Sequence, residues 1–158
     1  MKVSLQIFKL QQPLFIGVVL PNRRGFKEER ELVNKLERLG FAVLRAPASG
    51  SGTKSDRPDI IAGRRGFCIA LEVKTTNRRV LYVGLESLDQ LVRFSNRFGA
   101  NPYLAVKFKR SGYGWLLLKP EDLEKGCKYY KITLEEAYRR GVSPEAILST
   151  KLEEFREA

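Results

Sequence analysis

The sequence predicts an α/β domain built as a central mixed β-sheet flanked by α-helices. Three observations predict it. Short β-rich runs alternate with two stretches of helical periodicity, at 26–39 and 86–98. A hairpin pattern, R-P-D-I-I-A-G-R-R-G-F-C-I-A-L-E-V-K, fills residues 57–74. Further β-rich runs come after the second helical stretch, at 102–108 and 115–118. A chain of 158 residues is long enough for one such domain with a sizeable core and too short for two ordinary ones.

Residues 1–22 differ in character from the rest of the chain and read as an extension preceding the domain. Their apolar run, 14–20, is too short for a signal peptide, and no A-x-A-like cleavage site comes after it. The folded domain is expected at 23–120, with 121–158 a helical tail packed on it. Its first helix places Phe26, Val33, Leu36 and Leu39, joined by Leu32, on one stripe, and Gly40 ends it. Glu29 falls on that stripe, four before Val33, so its carboxylate faces the sheet and calls for a cation. Arg30 lies about 100° round the helix, where it faces a phosphate or a salt-bridge partner. The acidic bias of a first helical turn accounts for Glu28 well and for Glu29 poorly.

Residues 41–45 read as the first core strand. A small-residue loop at 46–57 leads from it into the hairpin; its glycines let backbone amides approach a phosphate, and Ser49, Lys54 and Arg57 supply donors. Loops of this length inside a domain are usually functional or disordered, and the position beside the carboxylates favours function.

In the hairpin, Asp59-Ile60-Ile61-Ala62 is the outgoing run, Gly63-Arg64-Arg65-Gly66 the turn, and 67–74 the return strand. Phe67, Ile69, Leu71 and Val73 share one face while Cys68, Ala70, Glu72 and Lys74 share the other. Folding about Arg64 and Arg65 brings Asp59 opposite the neighbourhood of Glu72, and directly opposed residues have Cβ atoms only ~5 Å apart. Two carboxylates that close repel each other unless a cation sits between them. A hard divalent ion such as Mg2+ suits the place, since it takes one or two carboxylates and leaves its other positions to water and phosphate oxygens. Lys74 can then reach the same water or a scissile phosphate, which points to a metal-dependent phosphodiester nuclease. An ordinary surface hairpin would share the bare pattern; the proline before Asp59, the hairpin-length gap and the apolar strand favour the nuclease. P-D…E-x-K in this setting resembles the core of the PD-(D/E)xK nuclease superfamily.

Charge agrees. Residues 1–112 carry 21 Lys/Arg against 9 Asp/Glu, whereas 113–158 carry 8 against 9. A basic excess confined to the part that holds the hairpin favours a polyanion partner, nucleic acid above all. The chain has no histidine, which removes His general bases and His-metal nuclease chemistry. Cys68 and Cys127 lack C-x-x-C spacing, so neither a zinc site nor a disulfide framework is indicated, and a reducing cytoplasm is expected. No apolar run approaches membrane-helix length, so no membrane contact is expected.

After the hairpin, the polar and basic run 75–79 places Arg78 and Arg79 for a sugar-phosphate backbone. In the second helix Leu88, Leu91, Val92 and Ser95 serve the sheet, while Phe94 and Phe98 form an i, i+4 pair on a second edge suited to self-association or to burial within the monomer. The run at 115–118 is expected to be the last strand, with helical patterns after it at 134–140 and 144–156.

Several segments in this order, R-R-G-F-K-E-E-R-E-L-V, G-F-A-V-L-R-A-P-A-S-G-S-G, P-D-I-I-A-G, C-I-A-L-E-V-K, F-S-N-R-F-G and L-A-V-K-F-K…G-W, resemble the archaeal-type Holliday junction resolvases over about residues 23–120. The resemblance implies a restriction-endonuclease-like fold and a homodimer that cuts four-way junction DNA with Mg2+, with Mn2+ a candidate substitute, by paired nicks in strands of like polarity. It matches Glu29 to a helix carboxylate, Asp59 and Glu72 to the central metal ligands, Lys74 to a catalytic lysine, and Arg30 and Arg45 to basic residues needed for activity. Ser49 falls in a DNA-contacting loop counted with the catalytic set. Phe94 and Phe98 match dimer-interface aromatics. Arg23, Arg24, Lys54, Arg57, Arg78 and Arg79 complete the expected DNA contacts. Candidate protein partners are a sliding clamp or a branch-migration helicase. The rivals are a related nuclease for flaps, ends or methylated duplex, and a non-catalytic architectural binder of branched DNA; three carboxylates held near phosphate argue against the binder.

Overall fold

The computed structural model describes residues 23–46 and 56–154. Helix α1 (Arg23–Arg38) buries Leu32 and Leu36 completely, and the chain leaves it through Gly40, whose φ of +83° lies in the left-handed region that glycine adopts freely. The helix begins earlier than its periodicity predicts, so Glu28, Glu29 and Glu31 lie in its second and third turns, and the first-turn bias explains none of them. They are held by tertiary partners instead: Glu28 pairs with Lys109, Glu31 with Lys107, and Glu29 with Arg45.

Beyond α1 come β1 (Ala42–Arg45), β2 (Ile60–Arg64), β3 (Phe67–Thr76), β4 (Val80–Gly84) and α2 (Leu85–Phe98). After these lie β5 (Asn101–Phe108), β6 (Leu116–Leu118), β7 (Glu124–Lys125), β8 (Tyr129–Thr133), α3 (Leu134–Arg140) and α4 (Pro144–Glu154). Among the described residues the main sheet has five strands in the order β1-β2-β3-β5-β6. It is mixed: β3 pairs antiparallel with β2 and parallel with β5. A parallel neighbour needs a crossover, and β4 with α2 supplies it.

Two elements differ in part from expectation. The run at 41–45 forms β1, which meets the core through Phe41 and Val43 but lies, among the described residues, at the edge of the main sheet beside β2, with Leu44 70% exposed. The run at 115–118 is not the last strand: β8 pairs antiparallel with β4 and carries β7 on its other side, giving a second sheet in the order β4-β8-β7. The backbone of β4 must find partners, and both sides of β3 are already taken by β2 and β5.

The main sheet is covered on both faces. Ala70, Leu104, Val106, Leu116 and Leu118 pack with Leu88 and Leu91 of α2, with the second sheet and with Ala137 of α3. On the opposite face Ile69, Leu71, Ala105 and Leu117 meet Leu32 and Leu36 of α1 and Ile147 of α4. Helix α3 starts on a capping box: Glu136 N donates to Thr133 Oγ1 at 3.2 Å, and Thr133 N donates back to Glu136 Oε2 at 3.0 Å. No described helix is long and apolar enough to cross a membrane.

Candidate active site

The hairpin register places the central pair. Ile60 faces Leu71 and Arg64 faces Phe67 across the ladder, so one step further out Asp59 stands opposite Glu72, as the turn arithmetic predicts. The turn itself is shorter than expected. Gly63 and Arg64 belong to β2, and Arg65 (φ +46°) and Gly66 (φ +82°) alone make the bend. Two residues of positive φ match the right-handed twist of the strands, which a longer turn would not enforce.

Asp59 is fixed from across the hairpin: its Oδ2 accepts the Val73 amide at 2.7 Å. Glu72 and Lys74, two residues apart, share one face of β3, and Lys74 Nζ donates to Glu72 Oε1 at 2.7 Å. Glu29 enters from α1, its Oε2 lying 3.3 Å from Arg45 Nε. Burial raises the Glu72 carboxyl above its ordinary range, with Lys74 opposing and the charges of Asp59 and Glu29 adding to the rise. Glu29 is raised too, by burial first and then by repulsion from Asp59, against Arg45 and Lys74. Burial first, and the charges of neighbouring carboxylates after it, thus disfavour ionisation of Glu29 and Glu72.

Among the described residues no three acidic side chains converge to metal-ligand distance. A hard divalent ion, which binds through one or two carboxylates and keeps several waters, would need no all-protein cage. Its positive charge would oppose the burial, and the lesser repulsion, that raise Glu29 and Glu72.

The basic residues divide. Arg30, Arg57 and Arg78 are exposed. Arg45 is half-buried against Glu29. Arg79, expected to serve a DNA backbone, pairs with Glu135 of α3, 56 residues away in sequence, because the 77–79 turn sits over the start of that helix. Arg23 and Arg24 open α1. Ser49, Lys54 and residues 1–22 lie outside the described residues. In α2, Leu88, Leu91 and Ser95 are buried as predicted, Phe94 packs against the core, and Phe98 stacks on it at 5.2 Å between ring centroids while remaining 53% exposed.

Two features escaped the sequence reading. One is the Val73 amide, a backbone group that no side-chain pattern reveals. The other is Asp56, three before Asp59, which accepts from Arg93 at 3.0 Å and from Arg97 at 3.1 Å and so ties the approach to the hairpin onto α2. Its signal was a lone acid in a basic and small-residue loop.

The fold, with P-D immediately before β2 and E-V-K on the central strand, is that of a mixed-sheet nuclease of the PD-(D/E)xK kind. The chain belongs to the archaeal Holliday junction resolvase (Hjc) family, whose model matches residues 21–154. It is 39% identical over 110 residues to the crossover junction endodeoxyribonuclease Hjc of Methanocaldococcus jannaschii, spanning 70% of this chain and 76% of the relative. It is 35% identical over 119 residues to that of Archaeoglobus fulgidus, spanning 75% and 85%. The solved structure of Archaeoglobus fulgidus Hjc, described as a Holliday junction resolvase from an archaeal hyperthermophile, superposes with a TM-score of 0.72 at 33% identity, over 78% of this chain and 98% of that one.

Proposed function

We propose that this chain is a crossover junction endodeoxyribonuclease that resolves four-way DNA junctions by paired, Mg2+-dependent nicks. The observation that carries the proposal is the hairpin constellation: Asp59 locked onto the Val73 amide, beside Glu72 and Lys74 on the central strand. Asp59 and Glu72 would hold the metal, with Glu29 assisting from α1; Mn2+ is an alternative occupant. When bound, the ion lowers the pKa of a water and offsets charge building up on the phosphate. Lys74 donates a hydrogen bond to Glu72, and the same ammonium would orient a nucleophilic water or neutralise charge on the phosphate. Arg45 holds Glu29 toward the site. Arg30, Arg57 and Arg78 are exposed and free to meet DNA phosphates, so affinity should depend on salt far more than on base sequence.

Two nicks in strands of like polarity require two such sites, and we assign the second to another copy of the chain joined through the exposed edge of α2 at Phe94 and Phe98. The reaction belongs in the cytoplasm, where recombination intermediates lie, and a sliding clamp or branch-migration helicase would act on the same DNA. The test is an end-labelled four-way junction incubated beside its component linear duplexes, in Mg2+ and then in Ca2+ or EDTA. Symmetric nicks in the junction alone, and only with Mg2+, are expected. Equal cutting of the duplexes would make the protein a general nuclease, and tight binding without cutting in any metal would make it an architectural binder.

A further inference from the structure

Away from the carboxylates, the turn after β3, the turn after β5 and the start of α3 enclose an open cavity of about 410 Å3. Arg79, Arg110, Tyr113, Glu135 and Tyr138 line it above Leu134, which belongs to the core. Tyr113 and Tyr138 stack on each other with centroids 4.3 Å apart and planes 28° from parallel, yet they stay 41% and 57% exposed. Aromatic faces offered to solvent beside arginines are the usual platform for an unpaired or splayed base. The volume lies within the range of small-molecule sites.

The charges are not balanced. Glu135 is paired with Arg79, which leaves Arg110 as the uncompensated charge, and among the described residues no acidic side chain pairs with it. Arg110 also holds φ at +68°, a left-handed conformation that disfavours any residue but glycine.

The cavity lies over the sheet face that carries Glu72 and Lys74. Leu134 shares its core with Ala70, and Glu72 and Lys74 have the parity of Ala70 on β3. Lys109 N donates to Thr76 O at 2.7 Å, so the Arg110 turn closes the end of the strand that carries Glu72 four residues earlier. At ~3.3 Å per residue that separation is about 13 Å along the strand.

We propose that this cavity is a second DNA site, which takes one nucleotide of a junction strand with its phosphate on Arg110 and its base or sugar against the Tyr113–Tyr138 stack. The proposal rests on the reading of the chain as a junction nuclease. It adds a contact, from a helix outside the catalytic segments, that grips the strand a few nucleotides from the cut.

The test measures binding of a four-way junction in Ca2+ across a salt series, for the full chain and for Arg110→Gly, Tyr138→Ala and Tyr138→Phe. A junction strand carrying 2-aminopurine at successive positions near the cut supplies a local signal. Arg110→Gly should lower the slope of log K against log salt by about one and should raise the melting temperature, because glycine relieves the positive φ. Tyr138→Ala should weaken binding on the order of tenfold and abolish the 2-aminopurine change at one position, while Tyr138→Phe restores both. Unchanged slope for Arg110→Gly together with an unchanged fluorescence profile for Tyr138→Ala would overturn the second site. If Tyr138→Ala does not fold, the Arg110→Gly slope decides alone. Failure of the unaltered chain to bind the junction at all would instead overturn the junction-nuclease reading, so the two failures are distinct.

Discussion

The Asp59 carboxylate and the Val73 amide meet across the hairpin at 2.7 Å, so the residue proposed to bind metal also fixes the backbone between Glu72 and Lys74. A single side chain therefore has a structural and a chemical task, and substitutions can separate them.

Asp59→Asn retains an oxygen that can accept from Val73 and loses the charge. Junction cleavage under single turnover should fall roughly a hundredfold or more, with junction binding in Ca2+ unchanged. Asp59→Ala removes the acceptor too, and its unfolding free energy should drop further, by about 1–3 kcal/mol. Full cleavage by the Asn variant would remove Asp59 from the metal site.

Glu72 titrates above its ordinary range in the folded chain. The folded state therefore binds more protons than the unfolded state between the two pKa values. Metal-free stability should fall as pH rises through that window and stay lowered above it. The net shift already includes the favourable Lys74 contact, so Glu72→Gln should raise the melting temperature in EDTA near neutral pH while abolishing cleavage. Calorimetry from pH 4 to pH 8 checks the sign; a Gln variant that melts lower than the parent throughout would refute it.

Phe98 is the exposed member of the stacked pair, and Phe94 is tied into the core. Phe98→Glu should leave the fold intact by circular dichroism and shift sedimentation from dimer to monomer. A variant that sediments as the parent does would move the dimer contact elsewhere.

Gly66 has φ +82°, and nothing lies within 4 Å of an added Cβ. Gly66→Ala should therefore cost only the backbone term, about 1–2 kcal/mol, in urea unfolding. A loss well above that would mean that the side chain meets something the hairpin geometry does not show.

The local part of this architecture was legible in sequence. Period-two alternation and a glycine-bounded turn set the register of Asp59 against Glu72, because a hairpin pairs residues by counting. The stripe of α1 and the two edges of α2 came from helical spacing. Contacts made across long separations were not legible. Nothing local says that Arg79 meets Glu135, that Glu29 meets Arg45, or that Asp56 grips Arg93 and Arg97. The second sheet was missed because β7 is two residues long, and because Tyr129-Tyr130-Lys131-Ile132-Thr133 runs straight into a helix. Its aromatic and β-branched content was nonetheless a strand signal.

Strand β3 is laddered on both sides, and both faces of its middle are buried. The proposed chemistry is thus mounted on a well-braced strand, an anvil rather than a jaw. Accommodation that this strand does not supply would fall to the nucleic acid. Branched DNA whose arms swing at low elastic cost would be pressed onto such a surface while a stiff continuous duplex would resist, so discrimination between substrates would become a measure of how readily each one deforms.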